Sequence, residues 1–176
     1  NLPWAPEIHL HAEITLQIQA ANRLSCMDAC DPELSGESLN RVVRGLVYML
    51  SGHRGVSEVQ RIKAQVVAAQ ALAWLCDNPS APEIIFDHGI STVVGVMESE
   101  VIDRNVLLEV ISLCGWLAVS SDDNALRLGR YPQCIRAIIR SLSSPQPALQ
   151  VKSAWALSAL ARGKNKAVIV ALGEGA

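Results

Sequence analysis

Apolar residues recur every three to four positions through most of the chain, the period that lines one face of a helix. The densest run is Gln150 to Lys164. There Val151, Ala154, Leu157 and Ala161 fall in line, Trp155 and Ser158 stand beside them, and Gly163 follows as a stop. This line predicts a buried face. Upstream, Ile14, Ile18, Ala21, Leu24 and Met27 predict a helix over 8–30, closed because the residue before Pro32 is pushed out of the helical region. Leu39, Val42, Val43, Leu46, Met49 and Leu50 predict an inward face for a helix over 37–50. Further helices are predicted over 57–76, 82–87, 90–98, 101–119, 122–128, 132–142 and 146–162, with a short one over 165–172. Ser57 reads as an N-cap, and Gln60 three residues on gives it a capping-box pattern.

The order short helix, glycine, medium helix, turn, long helix repeats. With the long helices aligned, Cys26, Trp74, Trp116 and Ala159 fall at equivalent positions, 48, 42 and 43 residues apart. Gly89, Gly129 and Gly175 follow the short helices at steps of 40 and 46. A period near ~42 with three helices per unit is the signature of armadillo and HEAT arrays. The predicted fold is therefore all-α: a right-handed α-solenoid of three to four units, in which stacking of neighbours makes the core. The expected divisions are a partial unit at 1–30, units at about 31–78, 79–120 and 121–163, and a partial unit at 164–176.

Composition sharpens this. Half of the residues are hydrophobic, yet there are only four Trp, two Tyr and one Phe, so closely stacked helices packed with small and branched aliphatics are expected. A net charge of −2 leaves no basic footprint for DNA or RNA. No apolar run reaches the roughly 18 residues of a membrane span. The start, Asn-Leu-Pro-Trp-Ala-Pro, lacks an initiator Met and a charged leader, so the chain is expected to begin inside a longer protein or after a removed segment. Five cysteines without disulfide-framework spacing point to an intracellular, reducing compartment: cytoplasm, nucleus or organelle matrix.

Catalytic and metal motifs are missing. Cys26 and Cys30 are spaced i, i+4 but lack two further zinc ligands, so they read as buried thiols. His9, His11, His53 and His88 lie at the start or in turns. No nucleophile elbow, phosphate-cradling loop or dinucleotide fingerprint occurs. Neither an enzyme nor a cofactor is expected. Glu98, Glu100, Asp103, Asp122 and Asp123 read as acids favoured at helix ends. Arg136, Arg140, Arg162 and Lys152 read as solvated faces or as a partner-binding patch. Trp74 and Trp116, on neighbouring long helices, should project from one face; they are either groove anchors or filling between thin helices. The apolar run Val168 to Leu172 predicts that further units, or another chain, cover the C-terminal end.

Residues 153–164, Ser-Ala-Trp-Ala-Leu-Ser-Ala-Leu-Ala-Arg-Gly-Lys, resemble the third-helix motif of the armadillo family, most closely the importin-α type. Residues 84–90 and 171–176 resemble its short helix and glycine turn. That resemblance implies a ladder of Trp and Asn residues along a concave groove. The family's Trp sites fall on Asn22, Gln70, Ser112 and Trp155, and its Asn sites on Cys26, Trp74, Trp116 and Ala159; no unit carries the pair entire. The implied function is a non-catalytic scaffold binding an extended peptide or partner helix along the long-helix surface. Two alternatives are an importin-α-like nuclear import adaptor and an architectural subunit of an intracellular or organellar assembly.

Overall fold

Side-chain caps are visible at the starts of three helices. Ser57 Oγ accepts from the Gln60 amide at 3.4 Å, Asp103 Oδ1 from the Asn105 amide at 2.8 Å, and Ser121 Oγ from the Asn124 amide at 3.1 Å. Each satisfies a donor that the first helical turn would otherwise orphan. A computed structural model describes residues 5–52, 55–99, 101–162 and 173, with side chains from Ala12 onward. Among the described residues there are nine helices and no strand: α1 (Ala5–Leu24), α2 (Gly36–Leu50), α3 (Glu58–Leu75), α4 (Ala81–His88), α5 (Ile90–Glu98), α6 (Arg104–Ser120), α7 (Asp122–Leu128), α8 (Pro132–Ser141) and α9 (Pro147–Arg162). The fold is all-α. The helix expected over 165–172 lies outside the described residues.

Two rows of helices run side by side. The long helices stack α1 on α3, α3 on α6 and α6 on α9; opposite them α2 packs on α5 and α5 on α8. Short α4 joins α2, and short α7 fills the angle between α6 and α9. The core between the rows is aliphatic, with Leu39, Leu50, Leu72, Leu75, Leu113, Leu117 and Ile138 fully buried. Burying each such side chain contributes roughly 1.5–3 kcal/mol. Alanines at 64, 68, 69, 71 and 73 let α3 lie close to its neighbours. Arg127 ties the short helices together: from α7 it bonds Glu83 of α4 at 2.6 Å, lies 3.8 Å from Asp87 and covers the Phe86 ring at 4.2 Å.

The long helices share one burial pattern. Ala64, Ala68, Ala69, Ala71, Leu72, Ala73, Leu75 and Cys76 are all buried, and so are the residues 42 further on, Val106, Val110, Ile111, Leu113, Cys114, Gly115, Leu117 and Ala118. Another 43 on, Leu149, Ser153, Ala156, Leu157 and Leu160 are buried, but Ala154, Ser158 and Ala161 are exposed. Their counterparts Ile111, Gly115 and Ala118 are buried where α9 stacks on α6. The expectation that Val151, Ala154, Leu157 and Ala161 form a buried face is thus corrected. Only Leu157 is buried, Val151 is 67% exposed, and this is the face that α9 turns away from α6.

The first helix also ends earlier than its periodicity predicts. Asp28 Oδ1 accepts the Cys30 amide at 2.9 Å, and 25–34 fold back in turns. Asn78, buried, locks that fold: its Nδ2 donates to the carbonyls of Ala29 at 2.8 Å and Leu34 at 3.1 Å. Met27, expected inward, is 45% exposed, and Cys26 lies beyond the helix rather than on it. Cys26 and Cys30 are exposed, not buried; the buried thiols are Cys76, Cys114 and Cys134.

Candidate functional site

The long-helix row presents its largest exposed aromatic surface where α6 meets α9. Gly115 leaves a gap in α6, and the Trp155 ring of α9 lies in it. A Cβ at 115 would stand 2.2 Å from Trp155 Cζ3, 2.6 Å from Cε3 and 2.9 Å from Cη2. Seated there, Trp155 meets Trp116 edge to face, ring centroids 5.2 Å apart and planes at 64°. Trp155 is half-buried, whereas Trp116 is 38% exposed.

Two cations frame this pair. Lys152 Nζ donates to the buried Ser112 Oγ at 3.3 Å and lies 5.6 Å from the Trp155 ring centroid, within cation–π range. Arg162 Nη2 donates at 3.2 Å to the carbonyl of Val119, one of the last-turn carbonyls that α6 cannot pair internally. Among the described residues the ion pairs are formed by Arg41, Arg61 and Arg127, and neither Lys152 nor Arg162 takes part in one.

The same rung occurs one helix earlier. Gln70 Nε2 donates to Glu109 Oε1 at 3.0 Å across 39 residues, and Lys152 reaches Ser112 across 40. Gln70 and Ser112 stand 42 apart, Glu109 and Lys152 43 apart, so one contact is made twice by equivalent positions. Ser112, Trp116 and Trp155 are brought together. Trp74 is half-buried and packed on the core, Ala159 is buried, and Asn22 and Cys26 are exposed at the α1 end, where Cys26 Sγ donates to the Asn22 carbonyl at 3.5 Å.

Sequence reasoning missed Gly115 and the cation over Trp155. An isolated glycine inside a helical pattern signals close approach, and Lys152 precedes Trp155 by three, which puts them on one helix face. Both signals were present.

Elsewhere the groups are already committed. A cleft of about 540 Å³ between the end of α2, the starts of α3 and α6, and α5 is lined by Ile62, Val96, Ile102 and Val106 with Arg61 and Asp103. Arg61 pairs with Glu58 at 3.7 Å, and Asp103 caps α6. In the core, burial and then the charge of Asp77 push the Cys76 thiol up to about 12. Cys114 is raised as well, by its hydrogen bond with Cys134 and by burial. Among the described residues no three His, Cys, Asp or Glu side chains are placed to share a metal, and no helix is long and apolar enough to cross a membrane.

No protein-family model and no curated protein matches the chain. Among solved structures it is similar to the crystal structure of an engineered protein, with a TM-score of 0.69 at 22% identity. The likeness covers 91% of this chain and 63% of that protein, so the chain spans less than two thirds of its length. What the two share is the fold.

Proposed function

We propose that the chain is a segment of an armadillo-type α-solenoid, with units at about 31–78, 79–120 and 121–163 between partial units at 1–30 and 164–176. It works as a non-catalytic scaffold that grips an extended peptide or partner helix along α3, α6 and α9. One observation carries the reading: Trp116 is held by Trp155 on the long-helix row yet keeps 38% of its surface in solvent. An immobilised, half-exposed indole contributes binding area at little entropic cost, which is why Trp is enriched at binding hot spots. The rung that recurs between α3 and α6 and between α6 and α9 supports a surface built from equivalent layers. Five free thiols fit a reducing compartment.

The test is enrichment of a phage-displayed random 12-residue peptide library on the purified chain, and on Trp116→Ala and Trp74→Ala. Loss of enrichment with Trp116→Ala, at unchanged helicity and urea midpoint, is the expected result. Unchanged enrichment in both variants overturns the tryptophan-anchored groove, and no enrichment on the parent chain overturns the scaffold reading.

A separate observation favours a second reading, a permanent subunit of a larger assembly. Ala154, Ser158 and Ala161 are exposed at positions where α3 and α6 are covered. Sedimentation velocity decides it: a chain that stays monomeric at every soluble concentration speaks against a face that needs a permanent neighbour.

A further inference from the structure

The cation slot on Trp155 is already filled by the chain's own Lys152, whose ammonium also holds Ser112. A lysine-rich ligand would bring like charge to that ring. Arg162 adds a second positive end ten residues further along α9, and no carboxylate among the described residues pairs with either. Glu109, the acid on the neighbouring rung, is engaged by Gln70. The anchors of the two cations on α6, Ser112 and Val119, are seven residues apart, about 10 Å along a helix axis. Residues four apart in an extended chain share one face about 13 Å apart, a span that the long Lys152 and Arg162 side chains reach from these anchors. Trp116 sits between them.

We infer that the partner taken on the Trp116–Trp155 ridge is an acidic extended peptide, with two carboxylates four residues apart answered by Lys152 and Arg162 and an apolar side chain midway between them, on the same face, against Trp116. This rests on the scaffold reading above. Single-stranded nucleic acid would also stack on indoles, but such grooves follow the backbone with a run of cations, and a chain of net charge −2 with two cations here offers none.

Fluorescence anisotropy tests it with four labelled probes: a 12-residue peptide with Glu-Ser-Phe-Ser-Glu at its centre, the same peptide with Lys for both Glu, the same with Gln for both, and a 12-nucleotide oligouridine. The chain should bind the Glu peptide about tenfold more tightly than the Gln peptide, as partly desolvated charge pairs allow, and lose that margin as salt rises. Lys152→Glu with Arg162→Glu should reverse the order of the Glu and Lys peptides, and Trp116→Ala should weaken both alike. Where the reversal unfolds the chain, judged by circular dichroism, Lys152→Gln with Arg162→Gln should erase the preference. A preference for the Lys peptide, a charge order indifferent to these variants, or tighter binding of oligouridine overturns the acidic-peptide inference and leaves the scaffold reading intact. Failure of every peptide, in both the chain and Trp116→Ala, overturns both.

Discussion

Gly115→Ala should destabilise this protein, although the same change in a helix interior is ordinarily favourable. Alanine is about 1 kcal/mol better than glycine in mid-helix, chiefly through backbone entropy. Here the new methyl would lie 2.2 Å from Trp155 Cζ3, with two more ring atoms inside 3 Å. Carbon atoms sit at roughly 3.5–4.0 Å, so the ring must retreat by more than about 1 Å. Its retreat is restricted, because the Trp116 ring packs against it and Lys152 lies over its face. Overpacking of this kind costs about 1–3 kcal/mol, and more when a rigid ring is the obstacle. Taking the upper part of that range, the expected net loss is about 1–2 kcal/mol, or roughly 2–8 °C in melting temperature for a chain of this size. The comparison that isolates the cause is a double-mutant cycle read by urea denaturation at 222 nm. In a Trp155→Ala background the obstacle is gone, and Gly115→Ala should then stabilise by about 1 kcal/mol. Gly45→Ala and Gly95→Ala, where a Cβ would meet nothing within 4 Å, should stabilise without any help. If Gly115→Ala stabilises equally with and without Trp155, the seating of that ring on Gly115 is refuted.

Asn78→Leu should cost about 2–3 kcal/mol, because it leaves the carbonyls of Ala29 and Leu34 without their donor in a buried site. Hydrogen exchange over 25–35 should rise with it; a urea midpoint within error of the parent would show that those bonds do no such work. Stability should also fall as the solution becomes alkaline. The Cys76 thiol is pushed up to about 12 in the folded chain, above its ordinary 9.0. Unfolded chains therefore release that proton first. The thiol's contribution is full below pH 9 and is lost as pH rises toward 12, with a slope of up to about 1.4 kcal/mol per pH unit per thiol. Cys114 acts in the same direction. The urea midpoint should fall more between pH 7.5 and 10.5 for the parent than for Cys76→Ala with Cys114→Ala, and equal falls would contradict the shift.

How much of this was legible depends on how local the cause is. The helices over Ile90–Glu98 and Asp122–Leu128 stand at the bounds their periodicity predicts, since glycine and capping residues act on their own turn. Ser57 caps α3 as its pattern predicts. The first helix does not follow its period to the end, because Asp28 and Asn78 offer 25–34 a better set of hydrogen bonds than the helix would. Asn78, 44 and 49 residues from the carbonyls it holds, reads in the chain as an ordinary turn residue.

Helix periodicity and the spacing of 42 and 43 residues are properties of the chain itself, and one contact recurs at that spacing, Gln70–Glu109 and Ser112–Lys152. Which of two apolar faces is covered is not such a property. Val151, Ala154 and Ala161 have the spacing of a buried stripe, yet they are exposed, since burial requires a neighbour that only the stack supplies. The ridge was decided in the same way. A glycine and a tryptophan 40 residues apart became one seat only when α9 settled on α6, and that contact alone left Trp116 turned toward solvent between two cations.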